Sequence, residues 1–225
     1  MPDKGPVKVK ICGVTNAPDA ELAAQLGAWA VGMIFYDKSP RSCAREEALR
    51  ISAAVRRKVM LCGVYVNAPL EQIERDSDEL GLGAVQLHGD EGPAFCSEVA
   101  RRTGVHVIKA VQVAGPGDVR DVERYHVDYH LLDAKPLARE LRGGTGETFD
   151  WALISARRSK VRLILSGGLS AENVGAAIAA THPYAIDSAS GTEASPGHKD
   201  PVRMRELFDA VARAGSEQAP IGQPA

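Results

Sequence analysis

Short apolar, β-branched runs alternate along the chain with longer stretches whose apolar positions recur every three to four residues. The short runs fall at 7–12 (VKVKIC), 30–35 (AVGMIF), 59–66 (VMLCGVYV), 84–88 (AVQLH), 106–111 (HVIKAV), 129–133 (YHLLD), 162–166 (RLILS) and 184–188 (YAIDS). Each predicts a strand. Helices are predicted over 16–27, 45–57, 69–80, 91–103, 118–125, 149–157, 170–180 and 201–213. The first of these is best punctuated: Asn16 can cap it, Asp19 follows three residues on, Pro18 is tolerated in the first turn, and Gly27 stops it.

Near-continuous apolar strands, each followed by a helix, indicate a parallel sheet covered on its faces. Eight such units within one domain length predict an α/β fold: a single (β/α)8 TIM barrel with a parallel eight-stranded core. An open doubly wound sheet is the alternative on pattern alone. The barrel is expected to span residues 1–214, and the small, polar tail GSEQAPIGQPA (215–225) is expected to be disordered.

Composition narrows the partners. The chain has 225 residues, 25% of them charged, and a formal net charge of -2. That balance gives no basic field for nucleic acid and leaves room for a small anionic substrate. No apolar run approaches the ~18 residues that span a membrane, and the opening MPDKGPVK has no apolar core of a signal peptide. A cytoplasmic location is expected. The four cysteines, Cys12, Cys43, Cys62 and Cys96, are scattered, with no C-x-x-C pair and no clustered histidines. Neither a zinc site nor a disulfide framework is expected. Cys43, Cys62 and Cys96 read as buried and chemically idle; Cys12 stays open.

Barrel chemistry sits at the C-terminal ends of strands and in the loops that follow them. Cys12, Asp133 and Asp187 fall there, as do the glycine-rich segments GGTG (143–146), SGG (166–168) and SG (190–191). Glycines let backbone N–H groups approach an anion closely, and helix N-termini favour negative charge. Three such segments at consecutive strand ends point to a phosphate ester; no Walker-type lysine motif suggests a nucleoside triphosphate. Across the mouth, Arg41 in FYDKSPR (35–41) is either a solvated loop charge or a fork for a carboxylate.

Strand parity places Lys8, Lys10 and Cys12 on one face of the first strand and Val7, Val9 and Ile11 on the other. The apolar face should meet the helices, which turns Lys10 and Cys12 inward. A buried lysine needs an anion, and Asp187 on the neighbouring last strand is the expected partner. Positive charge, or the helix start at Asn16, is expected to lower the thiol pKa and yield a thiolate base. Asp133, after apolar Leu131 and Leu132, is a desolvated carboxyl that can donate a proton. A nucleophilic cysteine is the weaker reading, because no histidine is placed by sequence beside it.

These motifs together resemble the phosphoribosylanthranilate isomerase family of tryptophan biosynthesis. The resemblance runs in order through KICGVT (10–15), FYDKSPR (35–41), GVYVN (63–67), VQLHGDE (85–91), IKAV (108–111), LLDA (131–134), GGTGETFDW (143–151), LSGGLSAENV (165–174) and AIDSASGTEASPGHKD (185–200). It implies a TIM barrel catalysing an Amadori rearrangement with no metal or organic cofactor. The implied substrate is N-(5-phosphoribosyl)anthranilate and the product 1-(2-carboxyphenylamino)-1-deoxyribulose 5-phosphate.

By the same resemblance, Cys12 is the base that removes the C2′ proton and Asp133 the acid that protonates the furanose ring oxygen. Arg41 would contact the anthranilate, and Gly144, Gly146, Gly167, Gly168, Ser190 and Gly191 the phosphate. Asp187 matches a strand-8 aspartate of the family's active site. Gln86, His88 and Asp150 also sit in matching motifs: Gln86 and His88, like Asp187, would contact the substrate, although His88 can equally bond the barrel rim and Asp150 can cap a helix. Ala189 and Thr192 depart from the Ser or Asn and the Val usual there. Other readings are an indole-glycerol-phosphate synthase-like lyase, a dual-substrate or specialised isomerase, or a non-catalytic barrel acting as an interaction subunit. Cys12 argues against the dual isomerases, which are expected to carry an aspartate at that position. A monomer or a homodimer is equally compatible with the chain.

Overall fold

The computed structural model describes residues 5–134 and 151–217. Eight parallel strands close on themselves: β1 (Lys8–Cys12), β2 (Ala30–Ile34), β3 (Met60–Tyr65), β4 (Ala84–Leu87), β5 (His106–Val113), β6 (Tyr129–Ala134), β7 (Arg162–Leu165) and β8 (Ala185–Ser188). The closing pair is β1 with β8, and its register sets Lys10 beside Asp187. On its other side β1 pairs with β2, which sets Cys12 beside Gly32; β2 in turn sets Gly32 beside Cys62 on β3.

The alternation of each strand divides the core in two. Ile11, Val31, Leu61, Val85, Leu132 and Ile186 face outward and are buried under the helices. Cys12, Cys62, Val64, Ile108, Leu131 and Ile164 face inward and fill the barrel. At the N-terminal end Trp29, Tyr129 and Tyr184 pack together, with ring centroids 5.2 to 5.5 Å apart, and stopper the barrel on the side away from the loops.

The helical layer comprises α1 (Ala17–Gln25), α2 (Arg45–Val55), α3 (Leu70–Leu80), α4 (Pro93–Thr103), α5 (Pro116–Asp121), α6 (Val174–Thr181) and α7 (Pro201–Glu217). Asn16 caps α1 as expected: its side chain accepts the Asp19 amide at 2.9 Å. Several boundaries differ from the sequence expectation. The stretch 118–125 starts two residues early and ends in a 3-10 turn, Val122–Arg124. In place of a regular helix at 149–157, Trp151–Ala156 form a 3-10 helix. The expected helix at 170–180 starts only at Val174, because the Asn173 side chain accepts the Ser170 amide and donates to the Gly168 carbonyl, which holds a turn there.

Two features were not anticipated. After β8 the chain forms a small antiparallel hairpin, β9 (Glu193–Ser195) with β10 (His198–Lys199). The final helix continues through Gly215, Ser216 and Glu217, three residues into the stretch expected to be a disordered tail. No helix among the described residues is long and apolar enough to cross a membrane.

Candidate active site

A cavity opens at the C-terminal ends of the strands, lined among others by Cys12, Arg41, Gln86, His88, Asp133 and Asp187. All the catalytic and substrate-contacting candidates read from the sequence therefore converge on one space. Gly144, Gly146 and Asp150 lie outside the described residues.

On the β1 side, Lys10 is fully buried and its Nζ donates to Asp187 Oδ1 at 2.9 Å. Burial alone would lower the lysine pKa; the Asp187 charge and hydrogen bond outweigh it, so the group sits above its ordinary value and stays an ammonium. Cys12 lies beside this pair, only 6% exposed. A Cβ built on Gly32 would fall 2.9 Å from Cys12 Sγ and 3.2 Å from Lys10 Nζ, so the missing side chain on β2 is what gives the thiol and ammonium their room.

The thiol does not follow the sequence expectation of a lowered pKa. Burial pushes Cys12 above its ordinary value of 9.0; the Lys10 charge and hydrogen bond pull it down, and Asp187 pushes it up again. Lys10 acts on Cys12 with its charge already balanced by Asp187, which is why burial wins. The helix start at Asn16 is formed, with the Asn16 side chain bonded to Asp19 through both its oxygen and its nitrogen, and burial still holds the thiol above its ordinary value.

Across the cavity, Asp133 is 3% exposed near the end of β6. His88 Nε2 stands 3.5 Å from Asp133 Oδ2, and the Gln86 side-chain Nε2 lies 3.0 Å from His88 Nδ1. Both Gln86 and His88 were singled out in the sequence, and both border the cavity.

Arg41 is buried and forked onto Glu193: its Nε lies 2.8 and 3.0 Å from the two carboxylate oxygens and its Nη2 2.7 Å from Oε2. The loop-charge reading of Arg41 is thereby set aside, and the carboxylate its fork meets belongs to the chain itself. Burial opposes the Glu193 charge, but the Arg41 hydrogen bonds and the Lys199 and Arg41 charges hold it below its ordinary value. Lys199 Nζ donates to the Ala189 carbonyl at 2.9 Å and lies 3.4 Å from Glu193 Oε1. Its pKa is lowered, chiefly by burial. Neither Glu193 nor Lys199 was singled out in the sequence. Both lie on the unforeseen hairpin, and only the charged residues inside the GTEASPGHKD stretch hinted at them.

The phosphate-end candidates form a backbone-lined turn. Gly167 and Gly168 have φ of 94° and 61°, the left-handed region that favours glycine. Their N–H groups have no acceptor among the described residues. A Cβ on Gly191 would lie 2.0 Å from the Leu169 carbonyl oxygen, so the loops after β7 and β8 touch at a distance only glycine permits. Ser188 Oγ bonds the same carbonyl at 2.8 Å. Ser190 opens the adjoining 3-10 turn, Ser190–Thr192. Thr192, one of the two departures from the resembled family, is buried with its hydroxyl bonded to the Ala189 carbonyl at 2.9 Å. Among the described residues no cluster of three or more His, Cys, Asp or Glu side chains converges to hold a metal ion.

The family model described as N-(5'phosphoribosyl)anthranilate (PRA) isomerase matches residues 9–210. N-(5'-phosphoribosyl)anthranilate isomerase of Pelobacter propionicus is 44% identical over 212 residues, covering 94% of this chain and 98% of that protein. The crystal structure of the phosphoribosyl anthranilate isomerase of Thermotoga maritima superposes with a TM-score of 0.81 at 40% identity, covering 92% of this chain and 99% of that one. A further solved isomerase is similar with a TM-score of 0.78 at 38% identity over the same 92% and 99%, and it holds reduced 1-(o-carboxyphenylamino)-1-deoxyribulose 5-phosphate. The fold, the convergence of the candidate residues and this similarity over nearly the whole chain agree: the chain belongs to the N-(5'-phosphoribosyl)anthranilate isomerase family.

Proposed function

We propose that the cavity isomerises N-(5-phosphoribosyl)anthranilate to 1-(2-carboxyphenylamino)-1-deoxyribulose 5-phosphate by general acid–base catalysis. The observation that carries this reading is the placement of a thiol, Cys12, and a buried carboxyl, Asp133, on opposite sides of one cavity. Asp133 protonates the furanose ring oxygen as the C1′–O bond breaks and the glycosylamine becomes a protonated Schiff base. Cys12 then removes the C2′ proton, and the electron pair moves to give the enamine-enol. Loss of the O2′ proton and protonation at C1′ complete the aminoketose. A positioned acid or base contributes a factor of roughly 10²–10⁴ to such steps.

Binding divides between the two ends of the substrate. The anthranilate carboxylate is taken by Arg41, and the phosphate by the glycine-lined turn of Gly167, Gly168, Ser190 and Gly191, together with Gly144 and Gly146. Asp187 holds the Lys10 ammonium beside the thiol. The barrel, residues 1–214, acts as one catalytic unit, as a monomer or a homodimer, in the cytoplasm.

The test is to generate the substrate in situ and follow the loss of its anthranilate fluorescence, with and without chelator. Turnover insensitive to chelator is expected. Cys12→Ala and Asp133→Asn should each lower kcat by roughly 10²–10⁴. Near-normal turnover in either variant removes that residue from its role.

A further inference from the structure

We propose that Gln86 and His88 are positioning residues that aim an N–H donor at Asp133, so that the carboxylate is stabilised as it gives up its proton. This rests on the reading of Asp133 as the acid. It differs from a direct hold on the substrate, the role the sequence motif suggested for both residues.

The case begins with the tautomer of His88. A side-chain amide N–H₂ can only donate, so the Gln86 Nε2 placed 3.0 Å from His88 Nδ1 makes that ring nitrogen an acceptor. The imidazole proton is then at Nε2, the nitrogen that faces Asp133 Oδ2 at 3.5 Å. That separation is just longer than a formed hydrogen bond. His88 Nε2 has no hydrogen-bond partner among the described residues, and neither has the buried Gln86 Oε1. Buried polar atoms without partners are uncommon, and catalytic contacts are often long before substrate binds.

The surrounding chain holds His88 in place from both sides. A buried pair, Lys109 on β5 and Glu91, joins at 2.8 Å. Lys109 Nζ also donates to the carbonyls of Leu87 and Gly89, at 3.3 and 2.8 Å. The Glu91 carboxylate accepts the N–H of Gly89 at 2.8 Å and of Asn67 at 2.7 Å. The amide of His88 itself donates to the Tyr65 carbonyl at 2.8 Å. Backbone on each side of His88 is thus pinned by charged groups out of contact with solvent, and the ring has a fixed base from which to reach Asp133.

The chemical consequence is differential. Protonated Asp133 gains little from a neighbouring N–H, whereas the carboxylate left after proton transfer gains a charge-assisted bond. The interaction strengthens along the reaction coordinate, and so acts on kcat rather than on substrate affinity.

Five variants and one ligand test this. His88→Ala is expected to lower kcat by 10- to 100-fold with KM changed less than threefold. Its affinity for reduced 1-(o-carboxyphenylamino)-1-deoxyribulose 5-phosphate should stay within threefold of the parent's. His88→Gln, whose amide can donate from the place of Nε2, should recover most of that loss. Gln86→Leu, which frees the tautomer, should lower kcat by 3- to 30-fold. Adding His88→Ala to Asp133→Asn should cost no more than a further twofold. A rise in KM and in the analogue's Kd with kcat preserved would show a direct substrate contact and overturn the proposal, as would full additivity in the double variant. Near-normal activity of Asp133→Asn alone would instead overturn the reading beneath it, whatever His88→Ala does.

Discussion

Arg41 and Glu193, 152 positions apart in the chain, meet through three short N–O contacts of 2.7 to 3.0 Å at the edge of the cavity. The guanidinium proposed to receive the anthranilate carboxylate thus already has two of its three nitrogens on a carboxylate. Its Nη1 carries no bond among the described residues. Glu193 fixes the plane of the Arg41 fork, and Lys199 behind it brings the excess positive charge that a second carboxylate would meet.

Removing Glu193's charge should therefore be costly. Glu193→Gln leaves Arg41 and Lys199 buried without their counter-charge, a change that typically costs about 3–5 kcal/mol. Because its folded-state pKa lies below the ordinary 4.5, Glu193 contributes stability in full above that value and loses it as pH falls through the lower folded value. Urea denaturation at pH 7 and at pH 3.5 checks both statements. The variant should be weaker at pH 7 and lose less on acidification; equal acid sensitivity in the two proteins would refute the ion pair's role.

The thiol gives a second prediction. With Cys12 raised above 9.0 by burial, the free enzyme holds mostly thiol at neutral pH, and kcat/KM should climb as pH rises toward the alkaline side. Lys10→Met removes the group that pulls the thiol down and should move that climb higher. Asp187→Asn removes a charge that pushes it up and should move the alkylation profile of Cys12 lower. Iodoacetamide rates against pH read both shifts, and movement in the opposite direction in either variant would contradict this account of the electrostatics.

Gly32 offers a steric test. Gly32→Ala places a methyl 2.9 Å from Cys12 Sγ and 3.2 Å from Lys10 Nζ, so the thiol or the ammonium must shift by a few tenths of an ångström. A misplacement of about 1 Å can cost about 100-fold, so this smaller shift is expected to lower kcat by roughly 3- to 10-fold, with the far-ultraviolet circular dichroism spectrum retained. Parental kcat would mean that the packing there gives way without moving the thiol.

His130, on the helix-facing side of β6, should dominate the response between neutral and mildly acid pH. It is fully buried, and burial pushes its pKa from 6.5 down to about 4. The unfolded chain takes up a proton below about 6.5 while the folded protein does not until about 4. Stability is therefore present above 6.5 and declines as pH falls toward 4, by about 3 kcal/mol at about 1.4 kcal/mol for each pH unit. His130→Gln, which can keep the bond to the Tyr125 carbonyl, should flatten that decline; an unchanged slope in chemical denaturation would assign it elsewhere.

What could be read in advance follows from which forces are local. The eight strands and the inward turn of Lys10 and Cys12 rest on alternation within five or six residues, and the structure has them so. The Lys10–Asp187 pair followed once neighbouring strands were assigned. Glu193 and Lys199 sit on strands of three and two residues, too short to show any period, and their partners lie far off in sequence. The late start of α6 depends on side-chain bonds of Asn173 that a helical pattern does not register. The sign of the Cys12 shift needed the balance of burial against Lys10 and Asp187, and no sequence carries that sum.

The hairpin after β8 has a consequence for how the chain comes off the ribosome. Thr15 donates to the Gly197 carbonyl, Asp19 accepts the Lys199 amide at 2.9 Å, and Arg41 waits for Glu193. Residues made first thus acquire their partners only when positions 187–199 emerge. Until then Lys10 and Arg41 are cations with no counter-ion, and the half-built sheet has β1 as an unpaired edge. A chain that stops before position 187 lacks a complete β8, Asp187 and Glu193, so the ring closes and both buried ion pairs form only after the last strand has emerged.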